Sequence, residues 1–261
     1  MALILPIAAL AQTPPSPQLF EPYEGQPGKD VVWVPTPSAL VGKMLDLAGV
    51  TPKDFVVDLG SGDGRLVIAA AKRGARALGV EYEPDMVALA RRNAAAAGVA
   101  DKARFVQGDM FEADISQATV MALFLLPDNL SRLTQKFLDL KPGTRMVLNG
   151  FGVPGWDADV TERAEGDCGS WCTAMLYIVP ARAAGTWRLP KGELKLDQKF
   201  QVLTGALSSG GSTTPVKDGR LRGDQISFSA GGEKYEGRVN GDTMLGNGGG
   251  WTATRLRPVT Q

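Results

Sequence analysis

The sequence of 261 residues contains no histidine. This absence excludes catalytic triads and general bases that use an imidazole, and it removes the commonest zinc ligand, so the sequence predicts no metal centre. Lysine plus arginine and aspartate plus glutamate each number 28, so the chain lacks the positive excess that is typical of nucleic-acid-binding proteins. No run reaches about 18 consecutive apolar residues, so no transmembrane helix is predicted.

Cysteine is also scarce. The two cysteines, Cys168 and Cys172, stand four positions apart, and without histidine they cannot complete a tetrahedral zinc site. The favoured interpretation is that they are two unrelated small residues near a turn. A disulfide across that turn is the alternative if the chain is exported.

The N-terminal residues have features of an export signal. Residues 1–11 are apolar and end in Ala9-Leu10-Ala11, an A-x-A cleavage pattern, although no basic residue precedes the apolar run. We expect these residues to form a signal peptide and the chain to be exported to the periplasm. A cytoplasmic location is the alternative. Residues 12–33 contain several prolines and glutamines and are interpreted as a linker.

Strand-like and helix-like segments alternate over residues 34–182. The predicted strands are 55–59, 77–80, 104–107, 119–125, 145–149 and 175–179, and the predicted helices are 38–49, 65–73, 84–97 and 129–140. Ser38 is expected to cap the first of these helices. Alternation of this kind predicts an α/β fold, a doubly wound and mostly parallel sheet with helices on both faces.

The composition changes in residues 185–261, which have many glycines and no helical periodicity. A weak repeat relates residues 219–226 to residues 237–244, and each copy contains a Gly-Asp pair suited to a hairpin turn. The segment therefore predicts a small antiparallel all-β domain with Trp187 and Trp251 in its interior. We interpret it as a stabilising or protein-contact module, with a ligand-binding barrel as the alternative.

The most informative motif is a glycine loop, Gly60-Ser61-Gly62-Asp63-Gly64, directly after a buried-strand pattern. Alternate glycines let the chain turn sharply and let a ligand lie against bare main chain. Asp58 would repel a pyrophosphate, and Arg65 stands where the dinucleotide-binding fingerprint has its last glycine. S-adenosylmethionine has a cationic methionine end and no phosphate, so the motif predicts a methyltransferase that uses this cofactor.

Further candidate cofactor contacts follow the next three strands. Glu81, with Tyr82 beside it, ends the second strand where an acid can accept hydrogen bonds from both ribose hydroxyls. Asp109 follows the third strand and can accept from the adenine amino group, with Met110 packed on the ring. Leu125 ends the fourth strand at the edge where ligands of such sheets bind. Asp109 has the alternative role of a turn residue.

Methyl transfer from a sulfonium is an in-line displacement, so the protein mainly aligns the nucleophile, the methyl group and the sulfur. An amine nucleophile must first lose a proton. Asp128 and Asn129 are predicted to position the acceptor, although Asp128 is equally suited to cap the next helix. The sequence designates no general base.

The motifs together resemble the seven-stranded class I S-adenosylmethionine-dependent methyltransferases. This resemblance rests on the glycine loop with Gly79-Val80-Glu81 and Gly108-Asp109-Met110. Val34-Pro35-Thr36-Pro37 and residues 119–127 are similar to small protein-lysine methyltransferases of prokaryotes and mitochondria. The resemblance implies a lysine acceptor and these contacts: Asp58, Gly60, Gly62 and Asp63 to the methionine end, Glu81 to the ribose and Asp109 to the adenine.

Two other functional classes remain open at this point. An NAD-dependent oxidoreductase is disfavoured by Asp58 and Arg65. A non-catalytic or degenerate S-adenosylmethionine-binding fold, whose β domain binds an envelope partner, is the second alternative. The acceptor is a protein or a small molecule, and the loop Leu126-Pro127-Asp128-Asn129 differs from the signature of amino-methylating DNA enzymes. The sequence does not indicate an oligomeric state.

Overall fold

A computed structural model describes residues 20–256. The predicted signal peptide and the first part of the predicted linker lie outside the described residues. The helices are α1 (Ser38–Leu47), α2 (Arg65–Lys72), α3 (Pro84–Ala96) and α4 (Pro127–Leu138). The strands of the first sheet are β1 (Phe55–Leu59), β2 (Arg76–Glu81), β3 (Ala103–Gln107), β4 (Val120–Leu123), β5 (Arg145–Asn149), β6 (Val160–Arg163) and β7 (Thr173–Ile178).

Each helix buries one apolar face, as its residue spacing predicts. In α1 the buried side chains stand three and four apart, at Leu40, Val41, Met44 and Leu45. Ser38, predicted as the N-cap of α1, is instead its first helical residue, because Pro37 has the extended ψ of 140° that marks the boundary. Within residues 20–256, none of the helices is both long and apolar enough to cross a membrane.

The first sheet has the strand order β3-β2-β1-β4-β5-β7-β6. Strands β1 to β5 run parallel, whereas β7 is antiparallel to both of its neighbours. The predicted doubly wound, mostly parallel α/β fold is therefore confirmed. The order reverses between β1 and β4, and ligands of such sheets bind beyond the carboxyl ends of the strands at that point.

One edge strand of this sheet was missed by the sequence analysis. β6 is four residues long, and its residues alternate between partly buried and exposed positions. Its composition, Val-Thr-Glu-Arg, carries no apolar run that would distinguish a strand from a polar loop.

Residues 20–33, interpreted from the sequence as part of a linker, fold back over the sheet. Pro27 and Val32 form an antiparallel bridge, and the main-chain N–H of Gly25 donates to the carbonyl of Trp33 at 2.9 Å. We call residues 20–33 the N-terminal strap. The linker interpretation does not hold for this strap, because prolines and glycines here shape a hairpin whose contacts lie far away in the sequence.

The C-terminal part forms a second, antiparallel sheet. Its strands are β8 (Gly185–Leu189), β9 (Gly192–Lys199), β10 (Val202–Ser209), β11 (Ser212–Pro215), β12 (Lys217–Arg222), β13 (Gln225–Ala230), β14 (Glu233–Asn240), β15 (Thr243–Gly246) and β16 (Thr252–Arg255). Their order is β11-β10-β12-β13-β14-β15-β16-β8-β9, and β9 also pairs with β10. This last pairing closes the sheet into a barrel, so the predicted antiparallel domain is confirmed.

The barrel interior is filled by side chains. Trp187 is fully buried, and Phe228 is 1% exposed. Trp251, also expected in the interior, is half-buried and packs at the rim against Tyr235. Both Gly-Asp pairs form two-residue hairpin turns, with Gly223 at φ +62° and Gly241 at φ +56°, as the repeat predicts.

The barrel contacts the first sheet through the segment that follows β5. The side-chain amide of Gln201 donates to the carbonyl of Asp157 at 2.7 Å. Arg220 donates to the buried carboxylate of Asp159 at 3.0 Å. The barrel therefore holds the segment that connects β5 to β6, close to the start of β6.

Candidate active site

The glycine loop connects β1 to α2 and lies at the carboxyl edge of the first sheet. Gly60, Gly62 and Gly64 all have positive φ, at +71°, +53° and +84°, which L side chains adopt at a cost. A Cβ on Gly62 would lie 2.5 Å from the indole nitrogen of Trp33. A Cβ on Gly64 would lie 2.6 Å from the ring of Phe105. The loop therefore lies between the strap and the sheet. Glycine is required there because of the positive φ values and because a Cβ would collide with neighbouring side chains.

Asp58 is the buried acid of the site. Asp58 is 3% exposed, and within residues 20–256 its carboxyl group accepts no hydrogen bond. Burial raises its pKa well above the ordinary value, and the nearby charges of Glu81 and Asp63 raise it further. A ligand that brought a positive charge to this carboxylate would relieve that unfavourable environment.

Asp63 differs from Asp58 because its charge is already balanced. The guanidinium of Arg65 donates to both carboxylate oxygens of Asp63, at 2.6 and 3.0 Å, and to the carbonyl of Thr36 at 2.7 Å. Arg65, which departs from the dinucleotide fingerprint, thus ties the glycine loop to the segment that precedes α1.

Glu81 is held by main-chain donors at the end of β2. The N–H groups of Gly62 and Glu83 donate to its two carboxylate oxygens at 2.8 and 3.0 Å. Each oxygen keeps a further lone pair, so the fixed carboxylate can still accept from a ribose. Tyr82 beside it is 46% exposed and lines the same cavity.

Asp109 receives two hydrogen bonds. The Lys29 ammonium of the strap donates to one carboxylate oxygen at 2.5 Å, and the N–H of Phe111 donates to the other at 2.9 Å. The hydrogen bond from Lys29 lowers the pKa of Asp109, with a further contribution from Phe111, and it raises the pKa of Lys29. The same ammonium lies 4.7 Å from the ring centroid of Tyr82. The strap therefore reaches the residue predicted to contact the adenine.

Two connected cavities occupy this edge of the sheet. The larger is lined by the strap and by predicted adenosine contacts, namely Glu81, Tyr82, Asp109, Met110 and Leu125. The smaller is lined by predicted methionine contacts, namely Asp58, Ser61, Gly62 and Asp63, together with Thr36. Gly60 and Phe124 line both cavities.

S-adenosylmethionine fits this pair of cavities. The hydroxyl of Ser61 is buried without a hydrogen-bond partner among the described residues, and Asp58 lacks a cationic partner there. An amino-acid end with an ammonium group would satisfy both residues. The acceptors Glu81 and Asp109 line the larger cavity, as a ribose and an adenine amino group require.

The two residues predicted to position the acceptor do not line either cavity. Asp128 is exposed in the first turn of α4, and Asn129 is buried with its side-chain nitrogen unpartnered within the described part of the chain. Their proposed role stays a prediction. Gly64, also predicted as a contact, is the N-cap residue that precedes α2, and its left-handed backbone shapes the loop.

Sequence reasoning missed several residues that line the larger cavity. These are Trp33 in the strap, Phe124 after β4, Phe151 after β5 and Trp171 in the loop before β7. Phe124 fell inside a predicted strand, where a large apolar residue predicts burial in the core. Trp33 and Trp171 stand in segments without periodicity, so only the unusual presence of tryptophan in a loop signalled them.

The interpretation of the cysteines as unrelated residues is wrong. Cys168 and Cys172 form a disulfide, with their Cα atoms 5.2 Å apart. Gly169 has φ +52° and the N–H of Trp171 donates to the carbonyl of Cys168 at 2.9 Å, so a tight turn brings the two sulfurs together. The disulfide closes the loop that carries Trp171.

Comparison with known proteins agrees with this site. Residues 58–160 match the family profile described as the ANTKMT methyltransferase domain. A protein-lysine N-methyltransferase of Saccharolobus islandicus is 41% identical over 152 residues, which are 57% of this chain and 94% of that protein. The adenine nucleotide translocase lysine N-methyltransferase of Mus musculus is 38% identical over 103 residues, which are 39% of this chain and only 45% of that protein.

A solved methyltransferase structure is also similar to this chain. An RNA methyltransferase from Salinibacter ruber, in complex with S-adenosyl-L-homocysteine, is 47% identical and superposes with a TM-score of 0.54 over 57% of this chain and 96% of its own. Taken with the glycine loop, the buried Asp58 and the strand order, these matches show that the chain belongs to the class I S-adenosylmethionine-dependent methyltransferases, in the family of the Saccharolobus protein-lysine N-methyltransferase.

Proposed function

We propose that the protein transfers the methyl group of S-adenosylmethionine to the side-chain amine of a lysine in a protein. The observation that carries the choice of acceptor is the 41% identity that extends over 94% of the Saccharolobus protein-lysine N-methyltransferase. The mouse relative also acts, by its name, on a lysine. The site agrees, because an uncharged amine needs alignment and exclusion of water more than it needs a strong base.

The residues of this chain supply binding, orientation and exclusion of water. Bound S-adenosylmethionine supplies an electrophilic methyl group on a sulfonium sulfur. The Asp58 carboxylate would hold the ammonium of its methionine end, and Glu81 would fix the ribose. Trp33 and the rest of the strap cover the cavity and keep water out. The acceptor ammonium gives its proton to solvent before the transfer.

RNA is the second candidate acceptor, because the Salinibacter relative is described as an RNA methyltransferase. Equal numbers of acidic and basic residues argue against RNA for this chain. The acids Glu81 and Asp109 at the larger cavity also disfavour a polyanion close to the site.

We further propose that the chain works in an oxidising compartment outside the cytoplasm. The observation that supports this location is the disulfide between Cys168 and Cys172, since such bonds persist mainly outside the reducing cytosol. Fractionation of cells that express the tagged chain tests the proposal. A chain recovered in the cytoplasm with both thiols free would contradict it.

The first experiment on the function is calorimetric titration with S-adenosylmethionine and S-adenosylhomocysteine. Wild type should bind both, and Asp58→Ala should bind neither well, because the ammonium of each loses its carboxylate partner. A well-folded wild type that binds neither ligand would refute the methyltransferase function for this chain.

The acceptor is tested next, with S-adenosylmethionine that carries a labelled methyl group and a cell extract treated in three ways. We expect labelled product after ribonuclease treatment, but none after protease treatment or after prior acetylation of the lysines. Label that survives protease and is lost with ribonuclease would replace lysine by RNA as the acceptor.

A further inference from the structure

Three aromatic rings meet at the end of the cavity that is remote from Asp109. Phe124, Phe151 and Trp171 follow β4, follow β5 and precede β7, respectively, so three neighbouring strands bring them together. The centroid of Trp171 lies 5.1 Å from that of Phe124 and 5.3 Å from that of Phe151, and the two phenylalanine rings are 6.4 Å apart. We call these three residues the aromatic cluster.

The cluster is not part of the cores that hold the sheet together. Phe124 and Trp171 belong to neither hydrophobic core of the first sheet, and Phe151 lies only at the border of one. All three rings are partly exposed, and all three line the larger cavity. Half-buried rings that face a cavity together indicate a binding surface more than a packing requirement.

The position of the cluster places it on the acceptor side of the cofactor. Glu81 ends β2 and Asp109 follows β3, on one side of β1, whereas the three rings follow or precede strands on the other side. Phe124 also lines the smaller cavity, where Asp58 lies. The cluster therefore begins at a residue that lines both cavities, and a cofactor with its adenosine in the larger cavity and its methionine end in the smaller one would hold its sulfur near this residue.

From this geometry we propose that Phe124, Phe151 and Trp171 form the site that receives the aminoalkyl side chain of the acceptor lysine. The proposal rests on the proposed function and specifies its acceptor site. The faces of aromatic rings attract an alkylammonium group, and their apolar surface suits its methylene chain.

The chemistry of the transfer makes such rings useful beyond binding. The lone pair of the neutral amine forms a bond to the methyl carbon while the carbon–sulfur bond breaks and its electrons stay on sulfur. Positive charge thus moves from the sulfur to the nitrogen. Rings around the nitrogen stabilise the cation that forms more than the neutral amine that enters, so they favour the transition state over the ground state.

Local structure fixes Trp171 against the other rings. The disulfide between Cys168 and Cys172 closes the loop around it. Gly150 has φ +69°, and a Cβ there would lie 2.9 Å from the indole ring, so the absence of a side chain lets the ring approach. Trp171 is consequently a preorganised wall of the site.

A buried polar side chain adjoins the aromatic cluster. Asn149 ends β5, immediately before Gly150 and Phe151, and is fully buried. Neither its side-chain nitrogen nor its side-chain oxygen has a partner within residues 20–256. A buried amide without partners is costly, but Asn149 does not line either cavity, so it is not assigned to the acceptor site.

The proposal is tested first by binding, with S-adenosylhomocysteine present. The probes are Nα-acetyl-Nε-trimethyllysine amide and its neutral isostere, in which carbon replaces the charged nitrogen. Wild type should bind the cation about 2- to 30-fold more tightly than the isostere, and Trp171→Leu should abolish this preference. Equal affinities in wild type, a preference that survives in Trp171→Leu, or no binding of either probe would overturn the proposal.

Kinetics with a single-lysine peptide give the second test. Trp171→Leu and Phe151→Leu should lower kcat/KM about tenfold, while Trp171→Phe, which keeps an aromatic face, should retain most of the activity. Affinity for S-adenosylmethionine should stay unchanged in all three, which also shows that they fold. Trp251→Leu, an aromatic substitution in the barrel, is the matched control and should behave as wild type.

These experiments separate the two proposals. A wild type that binds no S-adenosylhomocysteine refutes the proposed function itself. A wild type that binds it and methylates the peptide, together with cluster variants of unchanged kcat/KM, refutes the acceptor site alone.

Discussion

Trp156 and Phe200 stack face to face, with ring centroids 5.0 Å apart and planes only 6° from parallel. Trp156 lies in the segment that follows β5, whereas Phe200 lies at the tip of the hairpin that joins β9 to β10. Phe200 has φ +52°, a strained value for a residue with a side chain. The stack thus joins the barrel to the segment that carries Phe151, and this contact offsets the strain at the hairpin tip.

Substitution of Phe200 tests whether the barrel braces the site. Phe200→Ala removes the stack, and we expect it to lower the free energy of unfolding by about 1–2 kcal/mol and to lower the rate of lysine methylation. Urea unfolding and methyl-transfer assays measure the two effects. Val202→Ala, at an exposed position of the same hairpin, is the control. Unchanged activity in a destabilised Phe200→Ala would show that the barrel stabilises without positioning the site.

The glycine loop should tolerate side chains poorly at Gly64. Gly64→Ala would set a Cβ 2.6 Å from Phe105 at a positive φ, and we expect a loss of about 2–4 kcal/mol in the free energy of unfolding. Gly98→Ala is the matched control. Gly98 also has a positive φ, +68°, but the Cβ that the substitution adds would have no contact within 4 Å. It should cost only about 1–2 kcal/mol. Equal losses in denaturant titrations of the two variants would mean that backbone strain alone decides.

Cofactor binding should release a proton from Asp58. Its pKa is raised in the unliganded protein by burial and by Glu81 and Asp63, and a cationic ligand lowers it again. Affinity for S-adenosylmethionine should therefore rise with pH until the raised pKa of Asp58 is passed. Calorimetry in buffers of different ionisation enthalpy measures the released proton. No proton release at a pH below that raised pKa would contradict the assignment of Asp58.

The raised pKa of Asp58 gives the stability of the unliganded fold the opposite pH dependence: affinity for the cofactor rises with pH, whereas stability falls. Because the folded pKa of Asp58 is above the unfolded one, the folded state holds its proton more tightly, and the stability from this group falls as pH rises between the two values. Asp58→Asn should remove that fall. Thermal unfolding of the unliganded wild type and variant across this pH range tests the sign.

The ion pair between Lys29 and Asp109 should control access to the larger cavity. Lys29→Gln removes the charge that holds the strap on Asp109, so we expect both the association and the dissociation rate of S-adenosylmethionine to rise. Stopped-flow fluorescence measures both rates. Lys141→Gln, at an exposed position after α4, is the control. Since the pair is exposed, added salt should bring the wild-type rates toward those of Lys29→Gln; salt-independent wild-type rates would contradict the role of the pair.

Reduction of the disulfide should affect the acceptor more than the cofactor. Without the bond between Cys168 and Cys172, the unfolded chain gains conformational freedom worth about 2 kcal/mol, and the loop that holds Trp171 in the folded protein is no longer closed. A double Cys168→Ser, Cys172→Ser variant should keep its affinity for S-adenosylmethionine and show a higher KM for the lysine peptide. An unchanged KM would show that packing against Gly150 is sufficient to hold the ring.

The sequence predicted the elements whose signals are local. The strand and glycine loop around Asp58, the acid at Glu81 and the Gly-Asp turns of the barrel each depend on a few adjacent residues, and the structure has the predicted strands and turns there. Helix ends were displaced by one or two residues, as at Ser38, because a preceding proline sets the boundary.

The parts that could not be predicted depend on contacts between distant residues. Lys29 meets a carboxylate 80 positions away in the sequence, so nothing near it distinguishes a strap from a linker. Trp171 lines the cavity from a loop that a disulfide closes, and Gly150 leaves room for its ring. The disulfide was only the alternative interpretation of the two cysteines, and the space that Gly150 leaves cannot be recognised from the residues around Trp171.

The closure of the barrel has a consequence for the order of folding. The first sheet has all its strands once Ile178 is made, whereas β8 pairs with β16 and must wait for Thr252–Arg255. Pairing between such distant strands forms slowly, and N-terminal units fold first during synthesis. The first sheet, which carries the cofactor site, should therefore fold early. The segment after β5, which is held by the barrel, should become ordered last. A nascent chain would then be able to bind the methyl donor before it is able to use it.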